Sequence, residues 1–262
     1  VIDFIIVGLG EKKKLDAKNI RQYLFDGLKN ITGKAFVSFN DKDLDNMDVV
    51  AEVVEHINYK FDKYFSKKKE EFLEVSYLTD KKVPKLIEGY ELAKISNIVK
   101  DLVNEQAEVL NPKELADRTV KLGKNFGFEV EILDEKKAQK LGMTAYLAVA
   151  RAAHHRPYVI VMRYKGDAKS KYTYGLVGKG LTYDTGGLSL KPTESMLTMR
   201  CDMGGAATMI GAMCSIAKMK LKKNVTCVVA ACENSIGPNA YRPGDILTAM
   251  NGKTIEVTNT DA

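Results

Sequence analysis

Two hydrophobic periods alternate along the first 82 residues. Residues 2–7 form a short apolar run that stops at Gly8-Leu9-Gly10, predicting a strand that ends in a turn. Ile20, Tyr23, Leu24 and Leu28 recur at helical spacing within residues 16–29, with Asp16 placed as the cap. A strand is expected at 35–39, a long helix at 47–65 and a third strand at 72–77. That alternation is the pattern of an α/β layer with mostly parallel strands. Residues 83–109 then read as one long helix with Pro84 in its first turn, long enough to be a strut between domains. Beyond it the pattern predicts helices at 111–126, 136–141 and 204–219 and strands at 129–133, 158–164, 174–177, 225–231 and 254–258. The expected division is an N-terminal α/β domain over 1–82, an interdomain helix over 83–110 and a second domain over 111–262.

Composition changes this picture little. With 262 residues, 45% apolar and 28% charged, the chain has material for one large folded domain or two ordinary ones. The formal charge of +6 includes lysine patches at 12–14 and 67–69, which read as solvated faces because no arginine or aromatic interleaves them. Cys201, Cys214, Cys227 and Cys232 form no CxxC pair and read as reduced thiols of a cytosolic protein, Cys201 as a buried structural one. No apolar run reaches membrane-spanning length. Val1 in place of a methionine suggests a chain that starts inside a domain.

The chemistry concentrates in residues 176–205, LVGKGLTYDTGGLSLKPTESMLTMRCDMGG. Lys179, Asp184, Lys191 and Asp202 stand there among six glycines, at the expected carboxyl ends of strands where open α/β sheets gather ligands. Asp261 is a fifth charged candidate. Three aspartates supply hard oxygens for one or two divalent ions. Beside a dication Lys179 would be driven to its neutral amine and donate a lone pair, whereas Lys191, stiffened by Pro192, would stay charged and stabilise an oxyanion. Two alternatives stay open: a phosphate cradle, although VGKG lacks the full P-loop pattern, and plain salt bridging. His56, His154 and His155 lack ligand spacing. Met209 and Met213 read as core, and Met199 as the wall of an apolar pocket. Gly8-Leu9-Gly10 invites nucleotide binding, but Lys13 replaces the third glycine of the fingerprint.

Taken together, VGKGLTYDTGG, SLKP, CDMGGAA, ACEN, AYRPGD and NTDA resemble the leucyl aminopeptidase (cytosol aminopeptidase) family of dinuclear metallo-exopeptidases, over residues 85–262. Before Lys85 the likeness is only architectural, to that family's macrodomain-like N-terminal domain. The resemblance implies an α/β protein of two domains: a partial macrodomain-like domain joined by a long helix to the first half of an α/β catalytic domain with a mixed central sheet. It implies that Lys179, Asp184, Asp202 and Asp261 are ligands of two divalent ions, zinc or manganese, with magnesium or cobalt as alternatives. In that family Asp184 matches a ligand bridging both ions, Asp202 a further ligand of the lysine-bound ion and Asp261 a ligand of the second. Lys191 matches the lysine that polarises the scissile carbonyl, and Met199 and Asn259 match the pocket for the substrate's first side chain. The implied reaction is release of leucine-like N-terminal residues from peptides by metal-activated hydroxide, in a cytoplasmic homo-hexamer. The family's bridging glutamate and its bicarbonate-holding arginine follow NTDA and fall beyond Ala262, so the chain is expected to be cut at both ends and inactive alone. The alternative reading is a DNA-binding module of an aminopeptidase-like hexamer. ADP-ribose-type nucleotide binding through Gly8 and Gly10 is a further one.

Overall fold

The computed structural model describes residues 16–38, 46–68, 72–78 and 82–262. The strand expected at 2–7, the Gly8–Gly10 turn and Lys12, Lys13, Lys14 and Lys69 lie outside the described residues. The chain divides into two compact units, Val1–Asn97 and Ile98–Ala262.

The first unit contains α1 (Ala17–Leu28), β1 (Gly33–Ser38), α2 (Met47–Asn58), β2 (Leu73–Leu78) and the start of α3 (Pro84–Asn104). Asp16 caps α1 by accepting from Asn19 N at 2.8 Å. β1 and β2 pair in parallel, from Gly33 opposite Leu73 to Ser38 opposite Leu78. Ile20 and Leu24 of α1 bury against Met47, Val49, Val50 and Val53 of α2, with Leu86 of α3 packed on the same cluster. The helix expected over 47–65 stops at Asn58. There the side-chain amide takes both backbone groups of Leu73, donating to its carbonyl and accepting from its N–H at 2.8 Å each. The helix end is thereby fastened to the start of β2, and Tyr59 is already extended.

The second unit contains α4 (Pro112–Phe126), β3 (Glu129–Leu133), α5 (Glu135–Lys140), α6 (Thr144–Ala150), β4 (Tyr158–Lys165), β5 (Thr173–Asp184), α7 (Thr193–Met196), α8 (Gly204–Lys218), β6 (Asn224–Asn234), β7 (Ile246–Thr248) and β8 (Thr254–Glu256). Its main sheet has the order β3-β4-β6-β5, antiparallel at the first two junctions and parallel between β5 and β6, so the mixed sheet expected is the one observed. Val159 and Val161 face Ala138 of α5 and Tyr146 and Leu147 of α6, while the opposite parity, Ile160 and Met162, is sealed from solvent on the side of α4 and α8. A sheet covered on both faces explains why β4 and β6 are apolar almost throughout. The β5–α8–β6 crossover is the parallel unit that matters for chemistry. Among the described residues no helix is long and apolar enough to cross a membrane.

Candidate metal centre

β5 runs seven residues past the expected end at Val177. Glycines 178 and 180 let its neighbours approach closely. A Cβ on Gly178 would lie 2.8 Å from Ala206 Cα in α8, and one on Gly180 2.7 Å from the Ala230 carbonyl oxygen in β6. The strand therefore continues in register with β6 as far as Asp184 opposite Asn234, with one irregularity between Leu181 and Tyr183. Lys179 and Asp184 lie within the strand, not in a loop beyond it. Asp202 follows a single 3-10 turn, Met199–Cys201, and stands two residues ahead of α8, where the helix N-terminus favours negative charge.

All five charged candidates gather at the carboxyl ends of β5 and β6. Lys179 Nζ lies 3.0 Å from Asp202 Oδ1 and also donates to the Ala262 oxygen at 2.5 Å. Lys191 Nζ lies 2.5 Å from Asp261 Oδ1 and 3.5 Å from Asp184 Oδ2. Asp184 and Asp261 also interact directly, and Lys179 acts on Asp261 through its field, which joins the two pairs into one cluster. Asp184 is wholly buried. Its Oδ1 accepts from Gly186 N at 2.7 Å and from Asn234 Nδ2 at 2.9 Å.

Charge balance in the cluster is uneven. Burial pushes the Asp184 carboxyl above its usual pKa, against the pull of the Gly186 and Asn234 hydrogen bonds and of Lys191. Asp261 moves the other way, held down chiefly by its hydrogen bond to Lys191. Burial works against the Lys191 ammonium, but the Asp261 hydrogen bond and the fields of both carboxylates outweigh it and leave its pKa raised. Asp184 Oδ2 and Asp202 Oδ2 are buried and accept no hydrogen bond. Buried carboxylate oxygens without donors are costly unless a cation compensates them. Among the described residues no three His, Cys, Asp or Glu side chains suffice to hold a metal ion. In this arrangement the side-chain nitrogens of Lys179 and Lys191 stand between the carboxylates. Aspartate oxygens with open lone pairs and one amine fit hard divalent cations.

The remaining sequence candidates have other surroundings. Met199 is half-buried and its carbonyl accepts from Asp202 N at 3.3 Å. Asn259 is exposed, and its Oδ1 accepts from Asp261 N at 2.7 Å, shaping the turn that presents Asp261. His155 pairs with Glu233 at 2.9 Å and His56 with Glu52 at 3.4 Å. Cys201, expected to be buried, is exposed, because the 3-10 turn directs it away from the core that holds Cys214, Cys227 and Cys232. A buried polar network was not foreseen. Thr260 Oγ1 donates to the Gly186 carbonyl at 2.7 Å and accepts from Ser189 N at 2.8 Å, while Tyr241 Oη donates to the Thr260 carbonyl at 2.6 Å. ACEN, AYRPGD and NTDA contain three of these residues, Asn234, Tyr241 and Thr260, so the motifs marked them although no charge did.

The fold and the cluster define an α/β domain with a charged cluster at the carboxyl ends of a parallel strand pair. The chain belongs to the cytosol aminopeptidase family, whose catalytic-domain model matches residues 97–262. It is 92% identical over 262 residues to a probable cytosol aminopeptidase of Fusobacterium nucleatum subsp. nucleatum, covering all of this chain and 55% of that protein. It is 41% identical over 280 residues to the corresponding protein of Clostridium tetani, covering 99% of this chain and 57% of the relative. Among solved structures, the bottromycin maturation enzyme BotP in complex with Mn superposes with a TM-score of 0.87 at 30% identity, over 97% of this chain and 56% of BotP. The cytosol aminopeptidase of Coxiella burnetii gives 0.81 at 30% identity, over 90% and 51%. The chain thus spans about half the length of the relatives it matches.

Proposed function

We propose that the protein to which this chain belongs is a divalent-metal aminopeptidase of the cytoplasm, acting on peptides whose first residue is leucine-like. The observation that carries this reading is a pair of buried carboxylate oxygens that accept no hydrogen bond, Asp184 Oδ2 and Asp202 Oδ2, on aspartates ion-paired to Lys191 and Lys179 in a chain of an aminopeptidase family. Asp184, Asp202 and Asp261 with the Lys179 amine would hold two divalent ions. Manganese is supported by the BotP complex, and zinc suits the same donors. When bound, such ions supply an activated water and polarise the amide carbonyl. The chain's own groups do the rest. Lys191 keeps its proton, and once Asp184 and Asp261 turn to other partners its ammonium is free to donate to the oxygen where negative charge develops. Met199 and Asn259 line the pocket for the first side chain. Residues 1–82 belong to a separate α/β domain, 83–110 to the linking segment that contains α3 (Pro84–Asn104), and 111–262 to part of the catalytic domain. The whole protein works as a homo-hexamer, with bicarbonate beside the ions.

The test uses the full-length protein. It is expected to release leucine from leucyl-peptides and to lose that activity to a chelator. Lys191→Ala is expected to slow turnover roughly 10²- to 10³-fold with metal content unchanged. If full-length protein supplied with zinc or manganese frees no N-terminal residue, the reading fails. If Lys191→Ala sheds its metal, Lys191 belongs among the ligands.

A further inference from the structure

Asn234 ends β6 directly opposite Asp184, the last residue of β5, and is wholly buried. Its Nδ2 donates twice, to Asp184 Oδ1 at 2.9 Å and to the Thr260 carbonyl at 2.8 Å. Its own carbonyl accepts from Thr185 N and Thr185 Oγ1, each at 2.9 Å. One residue therefore ties together the end of β5, the turn after it and the segment that carries Asp261.

Stability does not require the amide. Both of its acceptors have a second donor: Gly186 N reaches Asp184 Oδ1 at 2.7 Å, and Tyr241 Oη reaches the Thr260 carbonyl at 2.6 Å. Meanwhile Asn234 Oδ1 is buried without any hydrogen-bond partner, a loss that an apolar side chain of the same shape would avoid. What the amide adds is direction. Two donors on Asp184 Oδ1 stop the carboxylate from rotating, and its free Oδ2 is left pointing at Lys191 Nζ, 3.5 Å away.

We propose that Asn234 is a positioning residue of the metal centre: it aims the free oxygen of Asp184 and, through the Thr260 carbonyl, fixes where Asp261 stands. The proposal rests on the metallopeptidase reading of Lys179, Asp184, Asp202 and Asp261. Removing a group that orients a ligand carboxylate typically weakens metal binding ten- to a hundredfold. A side chain that merely filled space would leave metal affinity alone.

The experiment titrates Mn²⁺ into chelator-stripped full-length protein by calorimetry and records melting with and without Mn²⁺. Asn234→Leu is the first variant, being close in shape and without donors. Asn234→Ser, too short to reach either acceptor, is the second, and it keeps the question answerable if Asn234→Leu does not fold. Stripped Asn234→Leu is expected to melt at or above the wild type, while Mn²⁺ affinity falls about tenfold or more in both variants. The melting rise on adding Mn²⁺ shrinks accordingly, and kcat falls with KM near its wild-type value. Wild-type Mn²⁺ affinity in the folded variants would overturn the role given to Asn234 and leave the metal reading intact. Wild-type protein that itself binds no Mn²⁺ would instead remove the metal reading on which the proposal stands.

Discussion

Gly178→Ala tests how the cluster is assembled. The new Cβ would meet Ala206 Cα at 2.8 Å, the Gly205 carbonyl oxygen at 3.0 Å and Ala206 N at 3.1 Å, all of them backbone atoms of α8. Ordinary contact begins at 3.4 Å, so the start of the helix has to retreat by about 0.6 Å. Overpacking of this kind costs about 1–3 kcal/mol, and the upper part of that range applies because backbone cannot swing aside as a side chain can. Replacing a strand glycine by alanine returns roughly 0.5–1 kcal/mol of chain entropy, leaving a net loss of about 2 kcal/mol. For a unit of this size that lowers Tm by roughly 4–8 °C. The displacement also carries Asp202, just ahead of α8, away from its 3.0 Å partner Lys179. Gly175→Ala is the control: it lies in the same strand with nothing within 4 Å of its would-be Cβ, so it is expected to be neutral or to gain up to about 1 kcal/mol. The chain has no tryptophan, so unfolding is followed by circular dichroism. Equal stability of the two variants would refute the claim that backbone contact between β5 and α8 sets the site.

Three further outcomes are expected. In the first unit, Glu52 is held down to a pKa of about 2, first by its hydrogen bond to His56 and then by Arg21, against the opposing effect of burial. Its folded pKa lies below the unfolded 4.5, so its stabilisation is present above about pH 4.5 and is lost as pH falls through about 2. Because Arg21 is 43% and Glu52 27% exposed, solvent screening reduces this to about 1–2 kcal/mol. Glu52→Gln should trail the wild type by that amount at pH 6 and converge with it near pH 2, and a gap independent of pH would contradict this. Burial pushes the thiols of Cys214 and Cys232 up to about 12 and that of Cys227 to about 11, so a thiol reagent at pH 8 should label only the exposed Cys201 while the protein is folded. Rapid labelling of more than one of the four cysteines would show that the described core opens. Thr260→Val strips partners from the Gly186 carbonyl and from Ser189 N, and should lower unfolding free energy by about 2–4 kcal/mol in urea titration, whereas a change below 0.5 kcal/mol would argue against the network.

The elements that could be read locally were those with their own punctuation. α4 begins where Asn111 accepts from Glu114 N at 3.1 Å and ends at Gly127, whose φ of 92° no larger residue adopts easily. β3 occupies the residues its pattern predicted. α6 and β7 are too short to stand out in the apolar pattern. β5 outruns its expected end at Val177 for a different reason. A glycine in sequence looks like a place to stop a strand, and whether it instead admits a neighbouring backbone depends on elements far along the chain.

In the candidate site, the chemical inventory is legible along the chain: two lysines and three aspartates in spaced motifs that resemble one family. Ionisable groups crowded among glycines are conspicuous because chains seldom bury charge without a use for it. Tertiary structure alone decided which groups meet. Lys191 finds Asp261, 70 residues away, and Asn234, Tyr241 and Thr260 close beneath them as an uncharged frame. Amides and hydroxyls carry no period and no charge along a chain, and acquire partners only when sheet register brings strand ends together.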